Sequence, residues 1–354
     1  MTAPLKNRDM SLASAETLAR PTVGSPASRP HRLIHGPLHE RAKKSLRVMK
    51  FGGTSVADAS CITKVAHIVR DSLREGSVVV VVSAMCGVTS KLVEAAAQSE
   101  AGNSRRVATI FEELRERHAS VASALVRSAQ TRKRLWRKMH ALFQTAGVLC
   151  EDVLLRRALT LRARDSITGL GERLSVLLVA AALAEQEVAS EAIETTELIV
   201  TDACHGAAEP LMDQTRERCE VRLRPVLLRG IVPVVTGFIG ATVDGVLTTL
   251  GRNSSDYSGT ILGAALDADE VTLWTDVDGI LTADPKIVPG ATEIREMSYR
   301  EACALAEMGA KVLHPKTLRP IMQRGIPLFI RNTFAPDRPG TKITATGPGG
   351  GARR

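Results

Sequence analysis

Aromatic residues are scarce: the 354-residue chain holds six Phe, two Tyr and two Trp. A surface that stacks nucleic-acid bases needs such rings, so a nucleic-acid partner is not expected. The six cysteines (Cys61, Cys86, Cys150, Cys204, Cys219 and Cys303) form no CxxC motif and no close Cys/His pair. That excludes a dedicated zinc site and fits a reduced, cytoplasmic chain. No apolar run approaches the roughly 20 residues a membrane helix needs, and "VVVVVSA" from Val78 is short enough to be a buried strand. Walker A and HRD/DFG motifs are absent as well. The phosphate-loop and protein-kinase patterns are thereby excluded.

Charge is present but uneven. Eight basic and three acidic side chains fall within residues 1–44, which supply five of the nine net positive charges. With its Pro, Ser, Ala and Arg and no apolar period, residues 1–45 read as a disordered basic tail. From Leu46 onward the pattern is strand, glycine turn, helix, strand: "LRVMKFGG", then "VADASCITKVAHIVRDSLREG" ending at Gly76, then "SVVVVVSAMCG". Residues 91–165 are charged and helical in period, with no strand candidate, and suit three or four helices packed at one edge of a sheet. Beyond them, "ELIVT", "IVPVVTGFIGA", "GVLTTLG", "EVTLWTDVDGI" and "IPLFIRNT" read as strands with helices between, and the end as a weakly structured tail. The expected class is α/β: a three-layer αβα sandwich around an open, largely parallel sheet. Its ligands should gather at the carboxyl ends of the strands.

Several turns at those ends carry chemistry. "KFGGTS" places Lys50 before Gly52 and Gly53, where a close backbone and outward amides suit an anion. "SAMCGVTSKL" repeats the design, with Ser83, Thr89 and Ser90 as small donors or caps; Cys86 has no histidine beside it and is not read as a nucleophile. "GLGERLS" puts Glu172 in the first turn of an apolar helix, either as a plain first-turn glutamate or as a partner for a substrate amine. "WTDVDGILTADPK" brings Asp276, Asp278 and Asp284 together, as a nucleotide-associated Mg²⁺ neighbourhood or as plain acidic turns. "EMGAKVLHPKTL" offers Lys311, with His314 as a helix-start residue. "GRNSSDYSG" sets Arg252, a fork for a carboxylate or phosphate, before a helix capped by Ser255 or Asp256. Together these residues suggest an enzyme that handles a phosphate or a nucleotide.

Seven segments in register, "KFGGTSVAD", "VVSAMCGVTSKL", "GERLS", "TGFIG", "GRNSSDYSG", "WTDVDGILTADPK" and "EMGAKVLHPKTL", resemble the aspartate kinases of the amino-acid kinase family. The resemblance implies a carbamate-kinase-like fold over 46–346, with an amino-acid-binding lobe (46–240), a nucleotide-binding lobe (241–346) and a flexible 347–354. It implies transfer of the ATP γ-phosphoryl group to the β-carboxylate of L-aspartate, with Mg²⁺ bridging phosphates and few protein ligands. Lys50 would neutralise the transferring group, oriented by Asp256. Arg252 would clamp the aspartate carboxylate and Glu172 its ammonium, with Ala84, Thr89, Phe238 and Ser255 completing the pocket. Gly52, Gly53, Thr275, Asp276, Leu281, Lys286 and Lys311 would face the nucleotide.

The sequence departs from the family in GRNSSD, where GRGGSD is usual, and in Leu281 and Lys286, where an aromatic and an arginine are usual. The chain ends just past the kinase module, so the resemblance implies no paired ACT domains and no feedback by lysine or threonine through them. A homodimer through the kinase module is also implied. A related acid as acceptor, or a non-catalytic scaffold, are the alternatives.

Overall fold

The computed structural model describes residues 45–251, 254–283, 288, 290–307 and 313–348. The basic tail lies outside them except for Ser45, as do residues 349–354. Ser45 opens the first strand, Ser45–Phe51 (β1), which leads through helix Ala59–Ser72 (α1) into Gly76–Val82 (β2). Asp58 caps α1, its Oδ1 accepting from Cys61 N at 2.8 Å. The helix closes at Leu73, so Gly76 starts the next strand and does not stop the helix.

Five helices follow in a row: Val88–Glu100 (α2), Ser104–Leu125 (α3), Ala129–Arg156 (α4), Leu161–Thr168 (α5) and Leu170–Glu185 (α6). Then come Ser190–Ile193 (β3), Met212–Arg222 (α7), Arg224–Leu228 (α8), Val232–Thr236 (β4), and the hairpin Ile239–Ala241 (β5) with Leu247–Thr249 (β6). Helix Ser255–Ala265 (α9) precedes Glu270–Thr275 (β7), which is followed by the small pair Ile280–Leu281 (β8) and Glu293–Ile294 (β9). Glu296–Ser298 (β10), Tyr299–Glu307 (α10), Pro315–Met322 (α11), Leu328–Asn332 (β11) and Thr341–Thr344 (β12) complete the order.

Eight strands form one sheet in the order β10-β12-β11-β7-β1-β2-β4-β3. All neighbours are parallel except β11 with β12. The valine run of β2 explains the layering. Val78, Val80 and Val82 enter the core beneath α1 to α6, while Val79 and Val81 enter the core beneath α7 to α11. Alternate side chains of one strand therefore serve both faces, as a sheet covered on both sides requires. The same alternation on β1 puts Met49 and Phe51 in the first core, and Leu46 and Val48 in the second. Lys50 shares the second face and so points toward α9.

Four sequence expectations are corrected. Helices α3 and α4 pack on α6, and α3 also on α1; they thicken one helical face and do not flank a sheet edge. "ELIVT" is not a sheet strand: Thr195–Glu197 is a 3₁₀ turn, and Val200 and Thr201 make only isolated bridges. The edge strand is the more polar "SEAI" of β3. The chain end also contributes a strand, since β12 pairs with both β10 and β11. Finally, Leu161–Glu185 is long and apolar enough to cross a membrane by length and composition, but 72% of its most apolar window is buried. It is a core segment, in which Leu174 and Leu178 each contribute about 2 kcal/mol by leaving water.

Candidate functional site

The carboxyl ends of β1, β2, β4 and β7 converge, and three turns meet there at glycines. Gly52 N donates to Trp274 O at 3.0 Å, tying the end of β1 to that of β7. Ser83 N donates to Phe51 O and Cys86 N to Gly53 O, both at 3.1 Å, tying the β1 turn to the β2 turn. A Cβ on Gly53 would stand 3.0 Å from Ala84 O, and one on Gly237 would stand 2.8 Å from Ser255 Cβ. These glycines allow backbones to approach one another.

Lys50, 7% exposed, reaches Asp256 in the first turn of α9, with 2.5 Å between Nζ and Oδ1. A Cβ on Gly259 would lie 3.2 Å from Lys50 Cβ, so the lysine stem crosses α9 where the helix is bare. Beside this pair sits Glu172, in the first turn of α6 and 3% exposed. Its Oε1 accepts from Ala84 N at 3.1 Å, while Oε2 is buried without a partner. Burial pushes this carboxyl up to about 8, against the opposing pull of the Ala84 amide and Lys50. A carboxylate with a bare, dry oxygen is costly unless a cation completes it. A carboxyl so placed either holds a proton or takes a cationic partner.

Phe238 adopts a left-handed backbone (φ 67) that non-glycine residues rarely hold. It is fixed from both sides: its N–H donates to Ser258 Oγ and its carbonyl accepts from Leu250 N, each at 2.9 Å. Such strain persists only where the surroundings enforce it, and clusters at ligand sites. Ser255 and Asp256 lie inside α9, and the N-cap position belongs to Ser254. Ser254 makes no side-chain cap; its hydroxyl donates to Gly251 O at 2.6 Å. The capping expected of Ser255 or Asp256 is thus corrected: the first-turn amides of α9 have no side-chain cap. Neither Ser83 nor Thr89 nor Ser90 caps α2, whose N-cap is Gly87 (φ 80). Thr89 stands half-buried in its first turn.

At the carboxyl end of β7, Thr275 ends the strand and donates to Asp276 Oδ1 at 3.2 Å; Asp276 is exposed. Asp278 accepts from Asn332 Nδ2 at 2.7 Å and pairs with Arg338 at 2.5 Å. Both of its oxygens are thus engaged, as in the plain acidic turn. Leu281 lies in β8, half-buried. His314 N-caps α11, its Nδ1 accepting from Lys316 N at 3.1 Å. Arg252, Asn253, Asp284, Lys286 and Lys311 lie outside the described residues. Among the described residues no three His, Cys, Asp or Glu side chains are grouped to hold a metal. The donors that converge are cationic or amide, and fit phosphate oxygens better than a protein-held cation.

Sequence reasoning missed Asp165, buried in α5. Its Oδ1 accepts from Thr249 Oγ1 at 2.6 Å, and its Oδ2 from Thr249 N at 3.2 Å, His205 Nδ1 at 2.9 Å and Gly206 N at 3.0 Å. One carboxylate thereby fixes the end of β6, two residues before Gly251, to the 202–209 loop. A lone aspartate in a short polar helix gives no sequence signal for that role.

Comparison with known proteins points to one family. The amino acid kinase family matches residues 45–332. Lysine-sensitive aspartokinase 3 of Escherichia coli is 36% identical over 297 residues, covering 84% of this chain and 63% of the relative. Chloroplastic aspartokinase 3 of Arabidopsis thaliana is 36% identical over 314 residues, covering 87% of this chain and 54% of the relative. Among solved structures, E. coli aspartokinase III in complex with aspartate and ADP superposes with a TM-score of 0.78 at 34% identity, over 85% of this chain and 65% of that one. The chain therefore spans somewhat under two thirds of the length of these relatives.

Proposed function

The chain belongs to the amino acid kinase family, and on that premise we propose that it is an aspartate kinase, moving the γ-phosphoryl group of ATP to the β-carboxylate of L-aspartate. The products are 4-phospho-L-aspartate and ADP. The observation that carries the reading is Glu172: a buried carboxylate whose Oε2 has no partner, beside the Lys50–Asp256 pair. An α-ammonium group completes that oxygen, and a substrate with a second carboxylate at the right reach presents it to Lys50. The E. coli structure that superposes on the chain was solved with aspartate and ADP.

The acceptor carboxylate is ionised at neutral pH, so the reaction needs no strong base. What it needs is two anions held in line and charge on the equatorial oxygens neutralised. Lys50 supplies that charge from the face of α9, and Asp256 holds its ammonium in place. The uncapped first-turn amides of α9 point to the same region. Ala84, Thr89, Phe238 and Ser255 wall the acceptor pocket, with Arg252 as the clamp for its other carboxylate. Gly52, Gly53, Thr275, Asp276, Leu281, Lys286 and Lys311 serve the nucleotide. Mg²⁺, carried in on the nucleotide, would neutralise the β- and γ-phosphates. In this reading residues 46–240 bind the acceptor and 241–346 the nucleotide, in a cytoplasmic enzyme that pairs as a homodimer.

A coupled ADP-release assay over a panel of amino and carboxylic acids tests the reading. Aspartate is expected to be the preferred acceptor, and Lys50→Ala to lower kcat by about 10² to 10³-fold, as loss of one charge stabiliser does. Turnover of another acid but not aspartate would move the reading to a related acceptor. Lack of turnover on every acid would favour a scaffold, and an unchanged Lys50→Ala variant would overturn the site.

A further inference from the structure

Arg117 lies on α3, in the outer helical layer, yet it reaches both ligand-bearing turns. Its Nη1 donates to the carbonyl of Cys86 at 2.8 Å and its Nη2 to that of Ala57 at 3.0 Å. Cys86 belongs to the turn that carries Ala84 and leads to Thr89. Ala57 ends the turn that carries Gly52 and Gly53, one residue before the α1 cap, Asp58. The two turns also meet directly, through Cys86 N donating to Gly53 O at 3.1 Å. One latch is therefore a peptide group and the other a guanidinium.

The chemistry of the second latch is particular to arginine. Its planar fork spans two carbonyls with separate nitrogens, whereas a lysine ammonium is a point donor on a flexible stem. The helix that carries it is anchored by the next residue. His118 is fully buried, its Nδ1 at 2.6 Å from Leu114 O and its ring set edge-on to Phe143. Two ion pairs, Arg106–Glu94 and Lys91–Glu113, bind α3 to α2. Arg117 is thus held on a rigid element while its head group spans two loops.

We propose that Arg117 is a positioning residue that sets the separation between the phosphate-side turn and the acceptor-side turn. The inference rests on the phosphoryl-transfer reading above, because that chemistry depends on the two anions being held at a fixed approach. It also gives the helical layer a role beyond packing, since α3 clamps the two loops from outside the site without touching substrate.

The test compares Arg117→Ala and Arg117→Lys with the wild-type chain by steady-state ADP release and by amide hydrogen exchange. Displacing a reacting group by about 1 Å can cost 10²-fold, so Arg117→Ala is expected to lose about 30-fold in kcat/KM for aspartate. Added guanidinium is expected to restore part of that loss, and sodium chloride at equal ionic strength none of it. Arg117→Lys keeps the charge but not the fork, and should remain much closer to the alanine variant than to wild type. In the alanine variant, amides of residues 53–57 and 84–88 should exchange about tenfold faster, with those of β4 unchanged. Wild-type kinetics with unchanged exchange in both turns would overturn the inference, as would faster exchange throughout the chain. If the wild-type chain turned over no acid, the kinase reading would fail, and the exchange comparison would still decide whether Arg117 is the latch.

Discussion

At pH 7 the empty site should hold Glu172 protonated and release that proton when aspartate arrives. Burial sets the carboxyl at about 8 where an exposed one titrates at 4.5. The protonated fraction at pH 7 is then about 0.9, and ionising the group there costs only about 1.4 kcal/mol. One charge-assisted contact between Oε2 and an ammonium group contributes about 1.5 to 3 kcal/mol, enough to drive the ionisation. Calorimetric titration of aspartate in buffers of different ionisation enthalpy reads the proton count directly. About 0.9 protons should be released per aspartate at pH 7 and about 0.1 at pH 9, given the same pKa. Glu172→Gln should abolish this linkage and weaken aspartate binding.

The stability of the empty protein follows the same group. The folded pKa is raised, so its contribution is fully present below 4.5 and is lost as pH rises through 8, by up to about 5 kcal/mol. The glutamine variant should therefore have the higher Tm at pH 9 without ligand. Aspartate binding without proton release at pH 7, or undiminished release in the glutamine variant, would refute the reasoning.

Gly171→Ala tests how tightly α6 abuts the turn after β2. Its new Cβ would lie 2.6 Å from Ala84 Cβ, an overpacking expected to cost about 1 to 3 kcal/mol in urea unfolding and to raise KM for aspartate by moving the Ala84–Glu172 bond. Unchanged KM with that Cβ in place would show that the contact does not set the pocket. His118, buried and held down to about 4 from 6.5, takes up its proton late in the folded state. Its contribution is intact above 6.5 and is lost as pH falls through 4, by about 3 kcal/mol. His118→Leu should flatten the fall of Tm across that window, and an acid limb as steep as in wild type would exclude this histidine as its source.

Local signals carried much of the site. Lys50 stands at the end of an apolar strand before two glycines, and Glu172 opens an apolar helix, so the positions of both were legible from their neighbours in sequence. The valines of β2 likewise declared a strand buried on both faces. What was not legible depends on segments distant in the chain. "ELIVT" has the stronger strand propensity, but Ile199 O and Thr201 N bond the short β5 hairpin strand at Ala241, and the polar "SEAI" takes the sheet edge. Tertiary pairing there outweighs residue preference. Asp165 gives no sign within its own helix of the amide and hydroxyl that Thr249, 84 positions away, brings to it. Arg117 gives no local sign, because its partners are two carbonyls, and carbonyls carry no sequence identity.

The departure at "GRNSSD" also changes meaning once the backbone at Ser254 is seen. Ser254 has φ −90, a right-handed value open to any residue, so a glycine's conformational freedom is not needed there. The freedom is used at Gly251, with φ 100. Serine must instead fit a confined space, and at 6% exposure it does so by turning its hydroxyl onto Gly251 O. Its carbonyl accepts from Ser258 N at 2.9 Å, and Ser258 Oγ in turn accepts from the strained Phe238. The turn before α9 is thereby wired to Phe238 through two serines. A glycine at 254 would keep the backbone path and lose the hydroxyl bond, about 1 kcal/mol of restraint. At position 254 the sequence departs from the family's glycine where the local backbone tolerates a side chain, and it uses that side chain to stiffen the turn ahead of α9.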